Sequence, residues 1–326
     1  MATQQTDLRE AHLAETDWLA EHLDDPRVRI VDMRGDVKTE TGADGYQTAQ
    51  YRGAPERYRA GHIPGAVYLD WTTDIVDELD PVPAQAAPPE KLARVLGAAD
   101  IGDDSLVIAY DDHPASQFAT RLWWLLRSMG HEECRVLNGG WAKWAAEGRA
   151  IRTTASADET GGDADGSHTP ISATAATRSP AVFTPQLQPE WRRSAEEVLA
   201  ALGRPDILLV DARDEGQFTG RIRRGVRGGR IPGAVNFPRE ALIAPDRTFL
   251  PPDRLRAAVE AVGLTPEKEV VAYCNGGVAA TSVLFALSML GYPRLANYDG
   301  SWNEWNARTE LPSESGESGS NRVGSE

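Results

Sequence analysis

Four short blocks of this chain occur twice, in the same order, and that repetition limits the fold more than any other feature. In the first half they are Ile30-Val31-Asp32-Met33-Arg34, Gly61-His62-Ile63-Pro64-Gly65-Ala66-Val67, Leu106-Val107-Ile108-Ala109-Tyr110-Asp111 and Leu137-Asn138-Gly139-Gly140-Trp141. In the second half they are Leu209-Val210-Asp211-Ala212-Arg213, Gly229-Arg230-Ile231-Pro232-Gly233-Ala234-Val235, Glu269-Val270-Val271-Ala272-Tyr273-Cys274 and Tyr298-Asp299-Gly300-Ser301-Trp302. The offsets between copies are 179, 168, 163 and 161 residues, so the second copy has shorter loops. One structural unit is written twice, and 326 residues suffice for two domains.

Each copy alternates strand-length apolar runs with longer segments of helical period. Val28 to Asp32 and Leu106 to Asp111 have the length and composition of strands. Ala119 to Met129 carries Leu122, Leu125, Leu126 and Met129 at helical spacing, and Gly130 supplies the stop. In the second copy Val270 to Tyr273 reads as a buried strand. Ala279 to Leu290 reads as the following helix, ended by Gly291 and Pro293. This alternation predicts an α/β fold of two tandem domains, each a mainly parallel sheet with helices on both faces. The expected boundaries are 1–152 for the first domain and 182–312 for the second. Residues 153–181, rich in Thr, Ser, Ala, Gly and Asp, read as a partly disordered linker, and 313–326 as a disordered tail.

Charge and cysteine usage exclude several classes. A net charge of −15 repels a phosphate backbone, so nucleic acid is not an expected partner. Two cysteines rule out a disulfide framework and a Cys-rich zinc site. His62 and His113 stand alone without ligand spacing, so no metal is expected. No apolar run approaches the roughly 18 residues of a membrane helix. The opening stretch MATQQTDLREAHL lacks the regions of a signal peptide. These features predict a cytoplasmic protein with no membrane partner. The two copies form a pseudo-dimer, so a monomer is expected.

The chemistry is expected where the copies differ. The third block of copy one runs on into Asp111-Asp112-His113-Pro114-Ala115-Ser116; that of copy two runs into Cys274-Asn275-Gly276-Gly277-Val278-Ala279-Ala280-Thr281. In a doubly wound sheet, ligands gather at the carboxyl ends of strands. Two glycines let the backbone curl so that successive N–H groups face inward, and a helix start follows them. Such a nest holds an anion and favours a thiolate. Cys274 is the candidate nucleophile, and Asn275, Gly276, Gly277, Val278 and Ala279 form its anion-binding loop. A buried structural cysteine at a strand end is the plainer alternative. Cys134 opens the strand Cys134 to Leu137, far from any glycine loop, and is expected to be buried and structural.

A second contrast lies between residues 213 and 230. Six arginines there face only Asp214 and Glu215. Such a stretch in an acidic protein suits the gathering of an anionic substrate, which makes Arg213, Arg221, Arg223, Arg224 and Arg227 candidate substrate-binding residues. A solvated loop with surface ion pairs is the alternative. The pairs Asp32/Arg34 and Asp211/Arg213 recur in both copies, which favours ion pairs bracing the strand ends. The Ile-Pro-Gly-Ala turns read as punctuation, and Trp141 and Trp302 as equivalent core or rim positions.

Through Gly61-His62-Ile63-Pro64-Gly65-Ala66, Arg230-Ile231-Pro232-Gly233-Ala234, Tyr273-Cys274-x-x-Gly277-Val278-x-Ala280 and Asp299-Gly300-Ser301-Trp302, the chain resembles the rhodanese family. The resemblance spans about residues 8 to 308 and is to tandem sulfurtransferases of the thiosulfate or 3-mercaptopyruvate type. It implies two rhodanese-like domains: an inactive first one with Asp111 in the cysteine's place, and an active second one. The site would lie in the cleft between them. It further implies that Cys274 takes a sulfane sulfur from a small anionic donor and hands it, as a persulfide, to cyanide or a thiol. The N–H groups from Asn275 to Ala279 would hold the persulfide charge, and no cofactor is needed. Thiosulfate is favoured over 3-mercaptopyruvate.

The chain departs from the family pattern in three places. Asn275 and Gly276 are neutral where thiosulfate-type loops often carry basic residues. They also supply no serine where mercaptopyruvate-type loops read Cys-Gly-Ser-Gly. Gln217 and Thr219 stand where substrate-binding arginines are expected, leaving Arg221, Arg223, Arg224 or Arg227 to substitute. A related cysteine phosphatase would need an arginine six positions after the cysteine to clamp phosphate; that position is Ala280, and the loop is one residue short. The remaining rival is a persulfide carrier or binding module that serves a protein partner.

Overall fold

The computed structural model describes residues 8–154, 171–172 and 181–316, and within them each copy builds its own sheet. Copy one contains β1 (Leu13–Ala14), α1 (Thr16–Glu21), β2 (Val28–Asp32), β3 (Gly35–Thr41), β4 (Gln47–Gly53), α2 (Pro55–Ala60), β5 (Val67–Tyr68), α3 (Pro89–Ala98), β6 (Leu106–Tyr110), α4 (Gln117–Ser128), β7 (Cys134–Leu137) and α5 (Gly140–Ala146). Its sheet runs β1-β7-β6-β2-β5-β8. All neighbours are parallel except β8 (Ile171–Ser172), which lies antiparallel on β5.

Copy two contains β9 (Arg192–Arg193), α6 (Ala195–Ala201), β10 (Ile207–Asp211), α7 (Glu215–Thr219), β11 (Val235–Asn236), α8 (Pro252–Ala261), β12 (Glu269–Tyr273), α9 (Ala280–Met289), β13 (Leu295–Tyr298) and α10 (Ser301–Ala307). Its sheet is wholly parallel in the order β11-β10-β12-β13-β9. The central strands β6 and β12 are apolar and buried from their second residue onward, as strands covered on both faces must be. Register pairs Asp32 with Tyr110 and Asp211 with Tyr273, so both Asp-x-Arg motifs sit at the carboxyl edge.

The copies differ most between their first and second blocks. Copy one holds the antiparallel hairpin β3/β4 there, while copy two holds only the short α7 and the arginine-rich loop. This hairpin is the insertion behind the first drop in offset.

Helices α4 and α9 join the two halves. The helical period of Ala119–Met129 implies one apolar face, yet α4 is buried nearly all round, Thr120, Arg121 and Ser128 included. The reason is that it lies between the two sheets and packs on α9. Thr120 Oγ1 meets Thr281 Oγ1 at 3.0 Å and Ser282 Oγ at 3.1 Å. Leu122, Trp123 and Leu126 share one continuous core with Val283, Phe285 and Leu287.

Two expected boundaries shift. Residues 182–188, assigned to the second domain, lie on the first. The Asp103 N–H donates to the Val182 carbonyl, and the Gln186 and Gln188 N–H groups donate to the Met129 and Ser128 carbonyls. The first domain thereby satisfies this extended segment's backbone groups, and the second sheet opens only at Arg192. The tail also begins later than residue 313. Arg230 and Glu314 exchange two backbone hydrogen bonds, and the Gly316 N–H donates to the Thr219 carbonyl. The rest of the expected tail, and most of the expected linker, fall outside the described residues.

Candidate active site

Both strand ends carry the same buried ion pair. Asp211 accepts from the Arg213 backbone N–H at 3.0 Å, from Nε at 2.9 Å and from Nη2 at 2.5 Å. Arg213 Nη2 also donates to the Gly229 carbonyl at 2.7 Å, and its guanidinium lies 4.7 Å from the Trp302 ring. Arg34 repeats every one of these contacts with Asp32, the Gly61 carbonyl and Trp141. The bracing role expected for these pairs is therefore present, and the two tryptophans are equivalent lids over the arginines. The Nε and Nη2 groups of Arg213 are held in that role, which argues against it as a substrate-binding residue even though it borders the cleft.

Cys274 follows directly on β12 and is 4% exposed. Ser301, at the start of α10, organises the turn. Its Oγ accepts from the Cys274 N–H at 3.1 Å and the Gly277 N–H at 2.9 Å, and donates to the Tyr298 carbonyl. The Trp302 and Asn303 N–H groups donate to the Cys274 and Asn275 carbonyls. Gly277 sits at φ +70°, and a Cβ there would stand 2.6 Å from Asp299 Oδ1. Only glycine accommodates both constraints. The N–H groups of Asn275, Gly276, Val278 and Ala279 have no partner within the turn among the described residues, and α9 begins immediately behind them. They are free to hold an anion at the cysteine.

The cysteine opens on a cavity of about 400 Å³ between the domains. Cys274, Asn275, Gly276, Val278 and Ala279 line one side. The hairpin contributes Asp36, Val37, Gln47 and Tyr51, and the loop after β6 contributes Asp112, His113 and Pro114. Arg57, Arg224 and Arg239 also face it. Arg57 is neutralised by Asp36 and Asp112, and Arg239 lies 3.0 Å from Glu240. Arg224 has no carboxylate partner among the described residues. Its Nη2 donates to Gln47 Oε1 at 2.5 Å, and burial pushes its pKa down while Tyr51 and Cys274 oppose that shift. A chain of amides completes the wall. Gln217 Nε2 donates to the same Gln47 oxygen at 3.0 Å, and Asn275 Nδ2 donates to Gln217 Oε1 at 2.8 Å.

The other arginine candidates lie elsewhere. Arg221 is exposed beside Glu215. Arg223 is exposed near Asp44 and covers Tyr46. Arg227 donates to the carbonyls of Leu311, Trp305 and Arg308, strapping down the end of α10. Arg223 and Arg227 have their partners far along the chain, and Arg221 has its own six residues back. Of the five candidates, Arg224 alone offers an unpaired guanidinium to the cleft.

Copy one fills its equivalent turn with a side chain. The Asp111 carboxylate accepts from the N–H groups of His113, Phe118 and Ala119 at 2.8 to 2.9 Å. Burial raises its pKa to about 7 against the pull of those donors. Burial also pushes Cys134 up to about 12, as befits an inert thiol. His113 is pushed down to about 3, first by burial and then by Arg239 and Arg247, so it faces the cleft as neutral imidazole. No group of His, Cys, Asp or Glu among the described residues is arranged to hold a metal.

Gln47, Tyr51, Arg57 and Arg239 were not singled out in the sequence. The available signal was the extra length of copy one between its first two blocks, because insertions in repeats often build the binding face.

The family described as Rhodanese-like domain matches residues 15–147 and 194–308. The chain is 30% identical over 314 residues to the sulfur carrier protein TtuD of Thermus thermophilus, covering 94% of this chain and 97% of that protein. It is 32% identical over 301 residues to the 3-mercaptopyruvate sulfurtransferase of Escherichia coli (91% and 96%). It is 30% identical over 302 residues to the thiosulfate sulfurtransferase of Bos taurus (90% and 91%). Its fold matches the crystal structure of the 3-mercaptopyruvate sulfotransferase SseA from Escherichia coli with a TM-score of 0.73 at 29% identity, over 89% of this chain and 98% of that one.

Proposed function

Because the chain belongs to the rhodanese family, we propose that it is a sulfurtransferase working through a Cys274 persulfide. The observation that carries this reading is the contrast between the two turns. One is filled by the Asp111 carboxylate; the other holds Cys274 with free N–H groups, in a cleft faced by unpaired Arg224.

The Cys274 thiolate attacks the sulfane sulfur of the donor. With thiosulfate, the new S–S bond forms as the donor's S–S bond breaks, and sulfite leaves with the electron pair. The persulfide anion rests on the loop N–H groups. A cyanide or thiolate acceptor then attacks the outer sulfur, its bond to Cys274 breaks, and the thiolate returns. Sulfur arrives and leaves with no net oxidation of the protein, so no redox cofactor is required. We favour thiosulfate as donor. Sulfite departs as a stable anion, whereas pyruvate departs as an enolate that needs a proton, and Asn275 and Gly276 beside the cysteine offer none.

No helix among the described residues is long and apolar enough to cross a membrane. Both cysteines are free thiols, which suits a reducing cytoplasm, and the internal pseudo-dimer suits a monomer.

The test is thiocyanate formation from cyanide with thiosulfate and with 3-mercaptopyruvate in parallel, Cys274→Ser being the control. Turnover lost in the variant is expected, faster with thiosulfate. A folded protein inactive with both donors overturns the small-molecule reading. The likeness to a sulfur carrier protein then favours a persulfide handed to a protein partner, read by mass spectrometry of Cys274 after loading with polysulfide, whose S–S bond breaks as the Cys274 S–S bond forms.

A further inference from the structure

Each domain reaches across the interface with one residue of its central helix. Ser282 of α9 donates to the Ala115 carbonyl in the turn after β6, at 3.0 Å. Arg121 of α4 donates to the Gly277 carbonyl in the cysteine turn, at 3.2 Å. The two residues hold the same place in the repeat, 161 positions apart like Thr120 and Thr281 beside them. The exchange is reciprocal, but its chemistry is not. The inert turn is held by a neutral hydroxyl, and the cysteine turn by a guanidinium buried to 1%.

Both terminal nitrogens of that guanidinium are held, while its Nε is buried without a hydrogen-bond partner. Arg121 Nη1 lies 2.5 Å from Asp299 Oδ1, an ion pair with both side chains buried. Its Nη2 donates to the Ala84 carbonyl, and its plane covers Trp124. Asp299 in turn accepts from the Ala86 N–H and touches Gly277 from behind. The Gly277 carbonyl receives a second donor, Asn297 Nδ2, at 2.9 Å. In a trans peptide the carbonyl and the following N–H point in opposite directions. Two donors holding the Gly277 carbonyl outward therefore hold the Val278 N–H inward, towards Cys274.

We propose that Arg121, from the domain without a cysteine, is a positioning residue that keeps the Val278 N–H aimed at the Cys274 sulfur and so favours its thiolate and persulfide. The proposal rests on the sulfurtransferase reading only for the persulfide; its effect on the thiolate is independent. It also gives the inert domain a part in the chemistry beyond walling the cleft.

The test is alkylation of Cys274 by iodoacetamide across pH, followed on the Cys274 peptide by mass spectrometry in the full chain. Arg121→Met is expected to slow alkylation near neutral pH by roughly tenfold, about 1.4 kcal/mol, by moving the pH profile upward. Arg121→Lys, which keeps the charge but not the fork to Gly277 and Ala84, recovers only part. Asp299→Asn is expected to shift the profile in the same direction and serves where Arg121→Met does not fold. Ser288→Ala is the control: it removes an interdomain bond to His12 at the far end of α9 and lowers the melting temperature with no change in profile. Arg121 and Asp299 variants that lose stability but keep the wild-type profile overturn the proposal. Wild-type protein that makes no thiocyanate while the shift is present sinks the sulfurtransferase reading instead.

Discussion

Thr120 and Thr281 stand hydroxyl to hydroxyl at 3.0 Å, 161 residues apart in the chain. They occupy the same place in the two copies, and a residue meets its own equivalent only on a two-fold axis. Around that axis the contacts come in pairs. The Phe249 N–H donates to Asn138 Oδ1, and the Ala86 N–H donates to Asp299 Oδ2. Ancestrally equal halves thus meet as the subunits of a dimer do, and the cleft arises because the symmetry brings the two turns to one side.

The helices on this axis are buried on all faces, so neither half has a finished surface without the other. The full chain is expected to unfold in one cooperative calorimetric transition. A fragment of residues 182–312, cut at the sequence-derived boundaries, is expected to be insoluble or molten, because α9 would expose Val283, Leu287 and their neighbours. Two separate transitions, or a folded fragment with dispersed amide spectra, would contradict a shared core.

The arginines offer a sharper discrimination. Arg224→Ala removes the cation that, among the described residues, faces Cys274 without a carboxylate partner, and is expected to lower kcat/KM for thiosulfate about tenfold or more, roughly 1.4 kcal/mol or above, mainly through KM. Arg221→Ala and Arg223→Ala, exposed and paired outside the cleft, are expected to stay within twofold of wild type. Arg227→Ala is expected to lower the melting temperature with KM unchanged, because its bonds go to the carbonyls that close α10. Steady-state kinetics and a thermal melt on the four variants separate these roles. Equal KM effects across all four would mean a diffuse field and no Arg224 contact.

The parts legible in the sequence were those whose reason is local. Cys274 stood out because Gly276 and Gly277 follow it and because copy one has Asp111 there. The Asp-x-Arg pairs were legible because their partners are two residues apart. The cleft wall was not. Lys38, Thr39 and Glu40 on β3 follow no core-facing pattern, and the hairpin's side-chain partners in the second domain, Gln217, Arg224 and Asn303, lie 170 or more positions on. The arginines could not be sorted for the same reason: what separates Arg224 from Arg227 is the distant carbonyls of Trp305 and Leu311. The face of α4 that carries Arg121 was also unreadable, since Asp299 and Gly277 of the second domain and the distant Ala84 cover it.

Ser301 is the hinge of the cysteine turn, and two substitutions take its roles apart. It sits at φ +52°, where a residue with a Cβ is strained, and copy one has Gly140 in its place. Ser301→Ala keeps the strain and leaves the buried N–H groups of Cys274 and Gly277 without their acceptor, costing about 1–3 kcal/mol. Ser301→Gly loses the same acceptor but relieves the strain, and is expected to be more stable than Ser301→Ala by about 1 kcal/mol. Both are expected to transfer sulfur more slowly. Urea unfolding with unchanged m-values reads the stability order. Ser301→Ala as stable as wild type would show that the hydroxyl does not hold the turn.

Asp111 ties stability to pH in a direction opposite to the usual carboxylate. In the unfolded chain it gives up its proton near 3.8, and in the folded one only near 7, because burial outweighs the three N–H donors around it. Between those values the native state binds the extra proton, so its contribution to stability is full below about pH 4 and is lost as pH rises towards 7. Asp111→Asn cannot titrate and places an amide N–H₂ against one or more of the same donors. The unfolding free energy of wild type minus that of Asp111→Asn is therefore expected to be largest near pH 4.5 and to shrink by up to about 1.4 kcal/mol per pH unit. It should level off above pH 7. Taking the difference offsets His113 and His12, which burial keeps largely neutral in the fold but which take up protons in the unfolded chain over the same window. Urea denaturation of both proteins from pH 4.5 to 8 measures it. A difference that stays flat or grows with pH would mean that the N–H donors win over burial, and that copy one holds a permanent carboxylate in its turn.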